Sequence, residues 1–188
     1  KSEYKQLVAS YAEKFFSHKF TPGMDSGDWS MKDPDTGYIY ICPRPGKYVD
    51  IIPNWSVLKD ENVCVVDGDG NLMEDNGLLP TVEMPMHLAI YKNRTDALAI
   101  VHSHPLYSSV FAVTGQNVPV LLAEQALFLG GEVVCAEYGL VGSQTLADNI
   151  VKALGEKRKA ALLRNHGSVI IGKDLREAFV LADFLEHG

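Results

Sequence analysis

An apolar run near the middle of the chain ends in two histidines and a proline, Val101-His102-Ser103-His104-Pro105. On a β-strand, residues i and i+2 point to the same face, so both imidazoles project together while Ser103 turns away. Proline cannot donate to a central strand pair, so we expect the strand to end there. Ligand sites collect at strand ends in open α/β sheets, and two neutral imidazoles can share one metal ion. The pattern therefore predicts a buried strand with a candidate metal site at its end.

A third histidine and a glutamate complete a candidate ligand set. His166 follows the apolar run 160–163, so it also stands where a strand ends, and Gly167 beside it permits a tight backbone path. Glu83 is predicted near the amino terminus of a helix, where the helix dipole favours a carboxylate. His87 lies one helical turn later and is expected to pack behind the ligands rather than bind the ion. The alternative is a set of structural histidines beside a first-turn glutamate.

Helical and extended patterns alternate along the chain, which predicts an α/β fold. Helices are expected over 3–18, 83–92, 106–113, 124–129, 143–154 and from Asp174 onward, where Glu177 completes a capping box. Strands are expected over 38–41, 48–52, 62–66, 98–104, 118–121, 132–136 and 160–164, and residues 21–36 are expected to form a loop. The early connections are hairpin-like, so we expect a mixed sheet with antiparallel pairs, covered on both faces. No linker divides the chain, so we expect a single domain over residues 1–188.

Composition and charge argue against several function classes. The 188 residues are 46% hydrophobic and 22% charged, which is the balance of a globular domain. The net charge of −7 disfavours a broad grip on nucleic acid, which needs a basic surface. No apolar run approaches the roughly 20 residues of a membrane span. Three scattered cysteines without a CxxC pair indicate reduced thiols. We therefore expect a cytoplasmic protein with no nucleic-acid or membrane partner.

The run from Glu83 to His104 resembles the core signature of the class II aldolase/adducin family, and Asn165-His166-Gly167 resembles its third-histidine motif. The first run also contains His87, Tyr91 and Asp96 of that signature. The resemblance covers nearly the whole chain. It implies a three-layer αβα sandwich with a mixed, largely antiparallel central sheet, and a homotetramer with active sites between subunits. It also implies a zinc ion, for which manganese, cobalt or iron is a substitute, held by Glu83, His102, His104 and His166.

The resemblance further implies a reaction on a small sugar. A class II aldolase cleaves a ketose 1-phosphate or a related sugar acid by a retro-aldol step through a metal-stabilised enediolate. By this resemblance Glu83 leaves the metal and acts as the base. Glu124 is the second candidate acid/base, because it falls where rhamnulose-phosphate aldolase carries a glutamate; its alternative is an exposed helix-start residue. The aldolases also use a tyrosine from a carboxy-terminal tail, which these 188 residues do not include.

The expected anion site departs from the aldolase pattern. The aldolases carry Gly-Asn, Thr-Gly and Ser-Ser where this chain has Gly27-Asp28, Arg44-Pro45-Gly46 and Thr81-Val82. Asp28 places a negative charge where a phosphate would sit, and a guanidinium at Arg44 offsets it. We expect Gly27, Asp28, Arg44, Gly46 and Thr81 to bind the substrate, and the anion stays open among phosphate, carboxylate and none.

Two other functions stay open. A metal-dependent decarboxylase of a 3-oxo sugar acid or its phosphate uses the same enediolate stabilisation. An adducin-like scaffold is not an enzyme, but adducin-like domains lack the metal histidines that this chain carries. The family's epimerase has aspartates near Ala126 and in place of Glu83, and its dehydratase branch lacks a carboxylate at Glu83, so both reactions are disfavoured.

Overall fold

The computed structural model describes residues 1–22, 26–44 and 55–187 of the chain. The expected strand 48–52 and Gly46 lie outside these ranges. The α-helices are α1 Ser2–Ser10, α2 Ala12–Ser17, α3 Met84–Asn93, α4 Leu106–Thr114, α5 Gln144–Leu154 and α6 Leu175–His187. The strands are β1 Asp28–Lys32, β2 Ile39–Ile41, β3 Pro43–Arg44, β4 Cys64–Val66, β5 Leu79–Pro80, β6 Ala99–Ser103, β7 Val134–Ala136, β8 Ala160–Leu163 and β9 Gly167–Gly172.

Seven strands form one central sheet in the order β4-β2-β1-β6-β9-β8-β7, and β3 pairs with β5 beside it. Only the β7–β8 pair of that sheet is parallel; the other pairs are antiparallel. Strand β6 lies in the middle, between β1 and β9, with all five of its residues buried. The expected mixed, largely antiparallel sheet is confirmed.

Helices cover both faces of the sheet and give it three layers. On one face α1, α2, α4 and α6 pack over alternate strand side chains that include Trp29 and Val101. On the other face α3 and α5 pack over Ile100 and its neighbours.

Helix α5 shows how residue type and spacing produce one of the covering helices. The Ser143 hydroxyl caps its first turn by accepting a hydrogen bond from the Leu146 amide at 3.1 Å. Leu146 and the residues four and eight positions later are buried on one stripe.

Two strands of the central sheet were not expected from the sequence, and neither were the short strands β3 and β5 beside it. Residues 28–32, predicted as loop, form β1 between β2 and β6. Its Trp29 and Met31 face the apolar layer, whereas Asp28 and Ser30 are buried on the opposite face among polar partners. Asp28 and Ser30 are polar although their face of the strand is buried, so residues 28–32 lack the apolar pattern of a buried strand. Their hydrogen-bond partners come from elsewhere in the chain. Strand β9 was not predicted at all, although its Val-Ile-Ile core is fully buried.

Smaller differences concern the ends and breaks of elements. The helix expected over 3–18 is two helices that meet at Tyr11. Residue Val118 forms only an isolated bridge with Val133, and the helix expected at 124–129 is a π-helical turn, Gln125–Leu129. Half of the capping box expected before α6 is present, because Asp174 accepts from the Glu177 amide. The Glu177 carboxylate accepts from the Lys173 amide, one residue before the expected Asp174 amide. No helix among the described residues is both long and apolar enough to cross a membrane.

Candidate metal centre and active site

Three histidines converge at the end of the central sheet. His102 lies in β6, His104 follows it, and His166 lies in the turn between β8 and β9. One ring nitrogen from each lies within 4.8 Å of the others, and the Nε2 atoms of His102 and His104 are 2.9 Å apart. In contrast, Ser103 points to the other face, where its hydroxyl contacts the Ser168 hydroxyl at 3.0 Å. The i, i+2 geometry expected of the His-Ser-His segment is what the fold contains.

The backbone around His166 is shaped to bring it there. Asn165 adopts a positive φ of 58°, a conformation that asparagine tolerates better than most residues, and the His166 amide donates to the Leu163 carbonyl at 3.0 Å. A side chain at Gly167 would place its Cβ 2.4 Å from the Ser103 carbonyl oxygen and 2.7 Å from the His104 ring. Only glycine lets the β8–β9 turn approach the end of β6 so closely.

The three imidazoles are held in the neutral form that binds metals. Burial lowers the pKa of each, most strongly for His102, and lowers that of His166 to about 4. The neighbouring imidazoles lower the pKa of His102 and His166 further. The Nδ1 atom of His102 lies 3.0 Å from the Ser168 carbonyl oxygen. A carbonyl only accepts, so Nδ1 carries the proton and Nε2 presents a lone pair to the cluster.

Glu83 lies beside the histidines as the N-cap residue of α3. Its side chain is buried, with one oxygen 3.8 Å from the His166 Nε2, too far for a hydrogen bond. Neither carboxylate oxygen of Glu83 has a hydrogen-bond partner among the described residues, and neither does Nδ1 of His166. Burial, followed by the charge of Asp28, raises the pKa of Glu83 to about 8.

These donors fit a divalent transition-metal ion. Buried polar atoms without partners are costly, and a cation beside Glu83 would compensate both oxygens. Tetrahedral coordination of two imidazoles at 2.0–2.1 Å requires the nitrogens to be about 3.3 Å apart, and His102 and His104 come within a few tenths of an ångström of that separation. The three histidine nitrogens form the compact ligand group, and Glu83 lies beside His166 but outside that group, so the carboxylate stays a predicted fourth ligand.

A cavity of about 690 Å³ opens onto the cluster. Its lining contains Gly27, Asp28, Arg44 and Thr81 together with Glu83 and the histidines. The structure therefore brings four of the five predicted substrate-binding residues around the candidate ligands, and Gly46 lies outside the described residues. Arg44 is exposed, so its guanidinium is available to an incoming anion.

Asp28 is engaged by the protein itself. Its Oδ1 accepts from Nε2 of His87 at 2.8 Å and its Oδ2 accepts from the Thr81 hydroxyl at 2.5 Å. Burial alone would raise the pKa of this carboxyl group, but its interactions with His87 and the Thr81 hydroxyl lower the pKa to about 2. Asp28 therefore contributes a fixed negative charge to the cavity wall. His87 packs behind the ligands, as expected from the sequence, and is completely buried.

Glu124 lies apart from this group within one chain. It is exposed at the start of the π-helical turn and lines a separate cavity of about 220 Å³ with Leu122 and Phe184. Its role in the reaction stays a prediction that requires a second subunit.

Two serines of the site were missed by sequence reasoning. Ser168 orients His102 through its carbonyl, and Ser30 contacts His87. Ser30 had a weak signal, since it stands two residues after Asp28 and so shares its face of a strand. Every residue type has a backbone carbonyl, so the contact of the Ser168 carbonyl with His102 could not be predicted from the sequence.

The chain is similar to known proteins over most of its length. The family described as "Class II Aldolase and Adducin N-terminal domain" matches residues 6–188. An L-fuculose phosphate aldolase of Methanococcus maripaludis is 34% identical over 172 residues, which are 92% of this chain and 86% of that protein. A 5-deoxy-D-ribulose 1-phosphate aldolase of Bacillus thuringiensis is 31% identical over 182 residues, 97% of this chain and 80% of that protein. A solved L-fuculose 1-phosphate aldolase superimposes with a TM-score of 0.89 at 32% identity, covering 100% of this chain and 83% of its own. The chain belongs to the class II aldolase and adducin family.

Proposed function

We propose that this protein is a zinc-dependent class II aldolase that cleaves a ketose 1-phosphate or a related sugar acid by a retro-aldol reaction. The observation that carries the proposal is the convergence of three neutral imidazoles within 4.8 Å of one another. A buried carboxylate without a hydrogen-bond partner among the described residues, that of Glu83, lies 3.8 Å from one of them, His166. Imidazole suits zinc, and manganese, cobalt or iron is accepted by the same donors. The aldolase relatives, similar over most of both chains, support this reaction class.

Each residue has a defined task in this proposal. A bound divalent ion would polarise the substrate carbonyl and stabilise the enediolate that remains when the carbon–carbon bond breaks. Cleavage requires loss of a hydroxyl proton from the fragment that leaves as an aldehyde and delivery of a proton to the enediolate carbon. Glu83 is the proposed base that accepts the hydroxyl proton, since it lies beside His166 inside the cavity. Glu124 is the proposed acid that delivers a proton to the enediolate carbon.

The charged residues of the cavity wall are proposed to bind the substrate's anionic end. The relatives' names refer to sugar phosphates. Arg44 offers a fork of donors that suits phosphate or carboxylate, and Gly27, Thr81 and Gly46 are proposed beside it. The fixed charge of Asp28 opposes an anion placed directly against it, so Arg44 is expected to hold the anion away from that carboxylate.

A homotetramer with active sites between subunits is the assembly that we propose. Glu124 is exposed in a region rich in large apolar side chains, which a monomer would leave in water. They include Leu106, Tyr107, Val110, Val113, Leu121, Leu122, Leu127 and Phe128. Burial of this surface against a second copy would bring Glu124 toward a neighbouring cavity. The three free thiols suit the reducing cytoplasmic setting expected from the sequence.

The test is a panel of ketose 1-phosphates and sugar acids, assayed for aldehyde and ketone products with and without a chelator. Chelator-sensitive cleavage of at least one compound, restored by zinc, is the expected result. Glu124→Gln should lower turnover by roughly 10²–10⁴-fold while the bound metal stays at the wild-type amount. Release of carbon dioxide without an aldehyde would favour the decarboxylase instead. One tightly held ion that neither chelator nor any substrate affects would favour an adducin-like scaffold.

A further inference from the structure

A buried chain of hydrogen bonds runs behind the candidate metal centre, between β1 and α3. The Tyr91 hydroxyl lies 2.8 Å from the Ser30 hydroxyl, which lies 2.7 Å from Nδ1 of His87. Nε2 of His87 lies 2.8 Å from Oδ1 of Asp28. All four side chains are at most 4% exposed, so water does not compete for these bonds.

The donors and acceptors available on these side chains indicate which group donates in each hydrogen bond. An ionised carboxylate only accepts, so Nε2 of His87 donates to Asp28. In a neutral imidazole Nδ1 then accepts from the Ser30 hydroxyl, whose oxygen accepts from Tyr91. This arrangement gives every one of the four groups a partner.

The same carboxylate continues the network toward Glu83. Oδ2 of Asp28 accepts from the Thr81 hydroxyl at 2.5 Å, and the Thr81 oxygen in turn accepts from the Glu83 amide at 3.2 Å. Asp28 thus contacts the residue two positions before Glu83 and the residue four positions after it. It also lies opposite His102 in the β1–β6 pairing.

We propose that Asp28 is a positioning residue that clamps the start of α3 on both sides of Glu83 and holds its carboxylate toward the three histidines. The inference rests on the proposed metal centre, because it explains the orientation of Glu83 as a ligand. The imidazole ligands stand on β6 and the neighbouring turn, and the carboxylate stands on α3. One buried residue on β1 relates these separate elements to each other. Such outer partners commonly change metal affinity by about 10–100-fold.

A double-mutant cycle with Co²⁺ as the probe tests this role. The four proteins are the wild type, Asp28→Asn, Glu83→Gln and the double variant, each loaded with Co²⁺ and monitored by its visible absorption. Asp28→Asn preserves the size of the side chain but removes one acceptor and the charge. We expect it to weaken Co²⁺ binding by about 10–100-fold and to change the spectrum. In the Glu83→Gln background the same change should cost no more than about twofold.

Two outcomes would overturn the role. An equal loss of Co²⁺ affinity in both backgrounds would mean that Asp28 acts on the ion through its charge and not through Glu83. Wild-type affinity and spectrum in Asp28→Asn would mean that the clamp is dispensable. A wild-type protein that binds no Co²⁺ would instead refute the proposed metal centre.

A second pair of variants keeps the test independent of how well the Asp28 variant folds. Thr81→Val removes the hydroxyl that joins Asp28 to the Glu83 amide, whereas Thr81→Ser retains it. We expect Thr81→Val to reproduce the weaker Co²⁺ binding and altered spectrum of Asp28→Asn, and Thr81→Ser to recover most of both. A merely structural role predicts a lower unfolding midpoint for Thr81→Val with an unchanged Co²⁺ spectrum, and that result would refute the clamp.

Discussion

The ionisable side chains at the two ends of helix α3 differ in how many hydrogen-bond partners they have. At the start, Glu83 is buried and both of its oxygens lack a partner among the described residues. At the end, Arg94 is also buried, but its guanidinium donates to both oxygens of Asp96 at 2.8 and 2.9 Å and to the carbonyls of Gly155 and Arg158. Lys159 adds a contact to Asp96 at 2.7 Å.

Ionisable groups at both ends have shifted pKa values, so a shifted pKa alone does not distinguish a functional site from a structural ion pair. Hydrogen bonds from Arg94 lower the pKa of Asp96, and burial raises that of Glu83. The difference is that Arg94 uses four of its five N–H groups on the protein, whereas Glu83 retains two free acceptors inside a cavity. Unused binding capacity in a buried site, and not charge by itself, marks the functional end of α3.

The largest expected effect is at the histidine cluster. His104→Ala removes one of three imidazole donors and is expected to abolish both metal retention and turnover, since the remaining ligands hold an ion weakly. Metal analysis after dialysis, together with the product assay, measures both. A fully active His104→Ala protein would contradict the metal-dependent mechanism, and circular dichroism controls for folding.

Glu83→Gln should lower turnover by roughly 10²–10⁴-fold yet stabilise the metal-free protein. The pKa of Glu83 is raised from 4.5 to about 8 by burial, so the folded metal-free chain retains a proton that the unfolded chain releases. Its stability therefore falls as pH rises from 4.5 toward about 8. Urea unfolding of both proteins with chelator, at pH 5 and pH 8, should show the larger gain for Glu83→Gln at pH 8. An equal gain at both values would contradict the raised pKa.

Arg94→Ala tests the structural end of the helix. It leaves the carbonyls of Gly155 and Arg158 without their donor and should destabilise the fold by about 1–3 kcal/mol. Turnover per folded molecule and metal content should stay at wild-type values. Urea unfolding and the product assay provide the comparison, and a selective loss of turnover would show that the two ends of α3 are coupled.

Lys159→Ala is expected to have the smallest effect. Its partner Asp96 is about half exposed, and such ion pairs contribute about 0.2–1 kcal/mol. The unfolding midpoint should fall slightly, and the fall should shrink in high salt because screening weakens an exposed pair. A loss as large as that of Arg94→Ala would mean that Lys159 has a structural role beyond this pair.

Local pattern was sufficient for much of the fold. The stripe of α5, the Asp174 cap of α6 and the strand that carries His102 all follow from residue type and spacing, because helices and strands repeat at different periods. Strand β1 was predicted as loop, since Asp28 and Ser30 appear exposed until α3 supplies His87 and Tyr91 as partners. Burial of a polar residue depends on distant partners, which spacing cannot reveal.

At the candidate site, residue identity and spacing were enough to predict which side chains could bind a metal and that His102 and His104 would project together. Those properties are local, because they depend on donor chemistry and on the two-residue repeat of a strand. The packing of distant elements sets the rest: His166 reaches the other two histidines from the β8–β9 turn, Glu83 lies beside them without a hydrogen-bond partner among the described residues, and Glu124 lies at a separate cavity. Distances between elements far apart in the chain are set by how the layers pack, and no local period encodes them.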